Sequence, residues 1–337
     1  MNPFRAAVPI VAAAAFAAPL LAQQGTAPKE PDQQATPASA PKKPPPQFEL
    51  WHPRRPATEK DYQVAKWGPR GLPSPGYAFR AAKVLPITAA PILDGIVVTK
   101  NGLIEAVGSA ADVKVPAGYE LVDCGDAILL PGFVEMHCHI ASESFDLNDT
   151  VHATNPEFRT LDLIGMEHDQ IRTARAGGIS TALYIPGSGS NMGGFGTLTK
   201  TWANSPEEAL VRFPGSLKIA QAGNPERSSG DLGSGRMGMN QGIRFTLERG
   251  RDYYRAWEDY DAGRGPKPKP RPDLEYLRGL FRHEYPVTVH TQIYQVVLET
   301  LRELRDEFGL WTIIDHGEFD AFRLSEDALV RGVVVAA

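Results

Sequence analysis

Cysteine is nearly absent. Cys124 and Cys138 are the two in 337 residues, too few for a disulfide framework, and Cys138 stands between two histidines, so both are read as free, buried thiols. An excess of basic charge is missing too. Lys plus Arg number 35 against 40 Asp plus Glu, a formal net charge of −5, which leaves no positive field to gather nucleic acid or an anionic membrane. The one conspicuous apolar run, Ala6 to Ala22, is broken by Pro9 and Pro19 and falls short of the roughly 20 residues a bilayer requires. What remains, 42% hydrophobic and 22% charged residues, suits one large α/β domain with something smaller beside it.

The chain opens as a targeting segment. Arg5 precedes the apolar run, and Leu20-Leu21-Ala22 gives way at once to Gln23 and Gln24. Residues 1–22 therefore read as a cleaved secretory signal, with a retained anchor as the alternative, and imply export to the periplasm or beyond. Residues 23–76 contain PASAPKKPPPQ, which cannot form a helix or an interior strand because proline lacks the amide donor and fixes φ; a disordered, Pro-rich tether is expected. From 77 to 130 the text is short β-like pieces, with Asn101-Gly102 marking a type I′ hairpin, and a small β-sandwich is expected there.

After Pro131 strand-like and helix-like segments alternate: FVEMHCHI, a helix over Glu157 to Ala176, ISTALYI, SPEEALVRF, SLKIAQ, a long helix from RMGM, YPVTVH, YQVVLETLRELRDEF, WTIIDH, LSEDALV and GVVVAA. Such alternation implies a parallel sheet, and a strand count nearing seven or eight favours a (β/α)8 TIM barrel over 131–337. GSGSNMGGFGTLTKT lacks the spacing of a phosphate cradle and reads as a mobile loop over the barrel mouth.

The histidines fall at informative places. His137 and His139 are two apart on one strand and share a face, while Cys138 points away. His290 ends YPVTVH and His316 ends WTIIDH. Strand C-terminal ends form the active-site face of such a barrel, so the four imidazoles can converge on one divalent ion, zinc first, that would activate water. A single strand-end histidine would be weak support; four in barrel order are strong.

PGFVEMHCHI resembles the PGF-x-D-x-H-x-H signature that opens the barrel in the amidohydrolase superfamily, and the β-like text before it resembles the small sandwich those enzymes carry. SLKIAQAGNPER ahead of an RMGM helix is most similar to the secreted imidazolonepropionase-like branch, and the resemblance covers residues 77–337. It implies a metal-dependent hydrolase of amide, cyclic amide or related C–N bonds, with His137, His139, His290 and His316 as ligands to one or two ions. It also makes Lys218 a candidate bridging ligand as a carbamate, with an ordinary strand-edge lysine as the equal alternative. Glu135 stands where the signature has Asp, and Gly223 where related segments often have Glu.

The superfamily also uses an Asp at the end of the eighth strand, and no residue here fills that place. Asp320 and Asp327 fall in a loop and a helix, and Asp315 is expected to face away from His316. RGVVVAA reads as the seventh strand, so the barrel is expected to be incomplete at its C-terminus, as a fragment or as a degenerate member. Open strand edges would then invite pairing with a second copy. A non-catalytic metal- or ligand-binding protein is the competing reading. A barrel phosphoesterase is disfavoured by the sandwich and by the scarcity of Arg near strand ends. The expected partner is a small-molecule substrate.

Overall fold

The computed structural model of the chain describes residues 66–68, 73–226 and 235–335. The expected signal segment, nearly all of the tether and the last two residues lie outside them. The described residues fall in one unit, Pro56–Ala337.

The elements in chain order begin with β1 (Lys66–Trp67), β2 (Tyr77–Val84), β3 (Ile92–Lys100), β4 (Leu103–Ser109), β5 (Glu120–Asp123) and β6 (Ile128–Leu129). Strands β2 to β6 form one five-stranded sheet in the order β4-β3-β2-β5, with β6 also on β2. It is a single sheet where facing layers were expected. Asn101 and Gly102 take φ of 52° and 69°, the pair of positive values a type I′ turn demands, and set the β3–β4 hairpin. One face is closed by Ala78, Ile96 and Val98 under Ala110, Val113, Val115 and Tyr119.

The remaining strands build two further five-stranded ladders. The first has the order β1-β11-β10-β8-β7, using β7 (Phe133–Cys138), β8 (Ile179–Tyr184), β10 (Thr197–Lys200) and β11 (Leu210–Phe213). The second runs β15-β14-β13-β12-β9, using β9 (Met192–Phe195), β12 (Leu217–Ala220), β13 (Val287–His290), β14 (Thr312–Asp315) and β15 (Val334–Val335). Parallel pairing holds for β7 with β8 and throughout β12 to β15, as the strand–helix rhythm requires. Around β8 to β12 it fails: β8–β10, β10–β11 and β9–β12 are antiparallel. The fold is mixed α/β, and among the described residues no strand pairing joins the two ladders.

Of those strands β9 and β10 come from the glycine-rich stretch. It was expected as a mobile loop, yet Met192, Phe195, Thr197 and Thr199 are buried within it. A second correction concerns the helix expected over Glu157 to Ala176. Only α2 (Asp169–Ala176) is helical, with one short 3-10 turn at Thr160–Asp162. Thr154 and Arg159 instead bridge Met192 and Phe195, a tertiary tie that outweighs local helical spacing. His168 is therefore the N-cap of α2, accepting from the Gln170 N–H.

The helices α4 (Arg236–Asp261), α6 (Tyr294–Thr300) and α7 (Ser325–Val330) stand where the periodicity put them, after the single turns α1 (Ser144–Leu147) and α3 (Pro206–Ala209), while α5 (Glu275–Phe281) is a helix the sequence reading did not include. From Leu301 to Glu307, α6 widens into π-type turns. The main core lies between the second ladder and α4 and α5, with Leu217, Ile219, Val287 and Val289 against Ile243, Leu247, Trp257 and Leu277. No described helix is long and apolar enough to cross a membrane.

Candidate active site

β12, β13 and β14 lie in parallel register, with Ala220 beside His290 and His290 beside Asp315. His290 and Asp315 thus stand level at the C-terminal ends of neighbouring strands, and Lys218 starts two residues lower on β12. A four-carbon stem lifts the Lys218 Nζ to donate to Asp315 Oδ2 at 3.1 Å, with both side chains fully buried. β7 belongs to the other ladder, yet its His137 Nδ1 reaches the same Asp315 Oδ2 at 3.1 Å.

The four imidazoles form a chain of contacts. Ring centroids are 4.9 Å apart for His139 and His137, 5.0 Å for His137 and His316, and 4.4 Å for His316 and His290. All five residues singled out from the sequence are therefore brought together. Cys138 points the other way, into a cluster with Ala182, Tyr184 and Ile171, and burial pushes its thiol up to about 12. Cys124 is only half-buried.

The expectation for Asp315 is overturned. It was expected to face away from His316, but it sits in the middle of the cluster. His316 lies just past the end of β14 with φ 60°, and that left-handed residue breaks the alternation on which the expectation rested. Two consecutive side chains consequently reach one site. Glu135 turns back on the chain, where its carboxylate accepts from the His137 N–H at 2.9 Å.

Every Nδ1 atom in the cluster is engaged. His139 Nδ1 donates to the Ile185 carbonyl at 2.9 Å, His290 Nδ1 meets Ser188 Oγ at 2.9 Å, His137 meets Asp315, and His316 Nδ1 stands 3.4 Å from Glu318 Oε1. The Nε2 atoms of His137 and His139 face each other at 3.1 Å, and the buried His290 Nε2 has no hydrogen-bond partner. Ile185 and Ser188 were missed from the sequence, because a serine in a glycine-rich run carries no signal of its own.

Burial favours the neutral rings. It lowers His139 to about 4, with the charges of His137 and Lys218 adding to it against the pull of the Ile185 carbonyl. It lowers His290 to about 3, helped by Lys218, His316 and His137. Burial also lowers Lys218, against the attraction of Asp315. For Asp315 burial works upward, but the bonds and charges of His137 and Lys218 outweigh it and hold the carboxyl below its ordinary range.

Among the described residues no three His, Cys, Asp or Glu side chains are already drawn close enough to hold an ion. The donor chemistry nevertheless suits one. Two nitrogens on a tetrahedral zinc stand about 3.3 Å apart, given bonds of about 2.05 Å, close to the His137–His139 spacing. The orphaned His290 Nε2 is a third donor. Gly223 leaves it room: a Cβ there would stand 3.6 Å from that nitrogen. Lys218 is seated as the partner of Asp315. A cleft of about 620 Å³ opens beside β7, lined by His137, His139, Ser142, Glu143 and His168.

No family model matches the chain. It is 26% identical over 188 residues to the amidohydrolase tasK of Hapsidospora irregularis, a match covering 49% of this chain and 19% of that protein. The chain thus spans about a fifth of that relative's length. Among solved structures it is similar to an amidohydrolase from Thermotoga maritima MSB8, at 29% identity and a TM-score of 0.69, over 77% of this chain and 69% of that one.

Proposed function

The chain belongs to the amidohydrolase superfamily, and from that premise we propose that it is a metal-dependent hydrolase of an amide, cyclic amide or related C–N bond. The observation that carries the reading is the set of four imidazoles, delivered from three strands, with every Nδ1 engaged. His137, His139, His290 and His316 would hold a divalent ion, zinc first. Such an ion, when bound, polarises the carbonyl under attack and makes water a nucleophile near neutral pH.

The chain's own part is orientation. Asp315 Oδ2 holds the His137 ring and the Lys218 ammonium, and the buried Asp315 Oδ1, which has no hydrogen bond, is the carboxylate oxygen in the cluster that could receive a proton. Neutral rings at His139 and His290 keep their lone pairs available, since protonation would remove them. The cleft beside β7 admits a small substrate to His137 and His139. Export, proposed from Arg5 and the run Ala6 to Ala22, would place this chemistry outside the cytoplasm.

The test is metal analysis and turnover on the same preparation. Purified protein should retain divalent metal. It should hydrolyse at least one member of a panel of N-acyl amino acids, cyclic imides and hydantoins, and lose that activity to a chelator. Protein without bound metal that shows no turnover after zinc is supplied would overturn the reading.

A further inference from the structure

Two of the four rings are oriented by one short segment. Between β8 and β9 the chain runs from Ile185 to Asn191 and is buried almost throughout. It is pinned at both ends. The Ile185 N–H donates to the Cys138 carbonyl at 3.1 Å and the Gly187 N–H to the Leu147 carbonyl at 2.8 Å, while the Ala220 N–H donates to the Asn191 carbonyl at 2.9 Å. Asn191 Nδ2 returns a bond to the Ala220 carbonyl at 3.3 Å.

From this template the Ile185 carbonyl accepts from His139 Nδ1. A carbonyl only accepts, so that ring carries its proton on Nδ1 and its lone pair on Nε2. Three residues on, buried Ser188 places Oγ 2.9 Å from His290 Nδ1. A hydroxyl can bond either tautomer, so the opposite nitrogen decides. His290 Nε2 is buried without a partner and within the field of Lys218. An N–H there would be a buried donor left unmet, and the nearby positive charge of Lys218 favours a lone pair over it.

We propose that Ser188 is a positioning residue that accepts the His290 Nδ1 proton and so presents Nε2 to the cluster as a lone pair. One segment, through the Ile185 carbonyl and the Ser188 hydroxyl, then sets two rings, one just past β7 and one at the end of β13, in the same tautomer. The purpose of the lone pair rests on the metallohydrolase reading; the tautomer itself does not.

The full chain would be labelled with 15N-histidine, stripped of metal and read above neutral pH by long-range 1H–15N correlation, with His290 assigned by its loss in His290→Gln. Wild type should show His290 protonated on Nδ1. Ser188→Ala should move it toward the Nε2–H form and weaken zinc binding by about 10–100-fold. Ser188→Thr, which keeps the hydroxyl, should restore both. A purely structural role would lower stability without moving the tautomer. The proposal fails if wild-type His290 is protonated on Nε2, or if Ser188→Ala changes neither tautomer nor zinc affinity. Should wild type bind no zinc, the metallohydrolase reading falls, while the tautomer comparison still decides the role of Ser188.

Discussion

Asp315 serves two neighbours with one oxygen, and each would be costly to abandon. Replacing it by Asn leaves the Lys218 ammonium buried without an anion, which should lower the unfolding free energy by about 3–5 kcal/mol in urea titrations. Adding Lys218→Met to that background should recover part of the loss, because a charge is then removed and not stranded. An Asp315→Asn protein as stable as wild type would show that the buried pair does not form. Next along the chain, His316 occupies a left-handed backbone position that suits glycine. His316→Gly should raise stability by roughly 1 kcal/mol and weaken zinc binding, with the two effects read on one sample. The strand-end positions of His137, His139 and His290 were legible from a period of two. The direction of Asp315 was not, because it turns on the φ of its neighbour, which no side-chain pattern encodes.

At the scale of elements, the π-type turns after α6 carry a buried acid. Glu303 is fully buried and neither carboxylate oxygen has a hydrogen-bond partner. Burial raises it from 4.5 to about 8, with Arg244 opposing and Glu299 and Glu307 assisting. The native state then keeps a proton that the unfolded chain has already lost. Stability should therefore decline as pH rises from about 4.5 toward 8 and level off beyond. Glu303→Gln should flatten that decline, as measured by urea midpoints across the same range. The Asn101-Gly102 hairpin and the long helix α4 were legible because turn chemistry and the 3.6-residue period are local. Residues 157–168 and the buried strands β9 and β10 were not, because bridges to distant chain override local spacing and glycine-rich text reads as loop.

For the molecule as a whole, the strand–helix alternation was enough to read a mixed α/β body with strand-end histidines. The antiparallel insertion that splits the ladder depends on long-range pairing and stayed hidden. Among the described residues β7 is one edge of the first ladder and β15 one edge of the second, and both carry exposed apolar side chains: Phe133 and Val134 are each 59% exposed and Val334 is 50% exposed. Such edges favour self-association. Val134→Lys should shift the protein toward smaller species in light scattering, and an unchanged distribution would exclude β7 as the contact. The site spans these same two ladders, since His137 comes from one and Asp315 from the other. An ion seated between them would act as a rivet, fastening β7 to β14, which no strand pairing joins among the described residues. Its binding energy becomes folding energy, about 2.7 kcal/mol at a concentration a hundredfold above Kd. Occupancy should then be countable in a thermal melt, with zinc raising the midpoint before any substrate has been found.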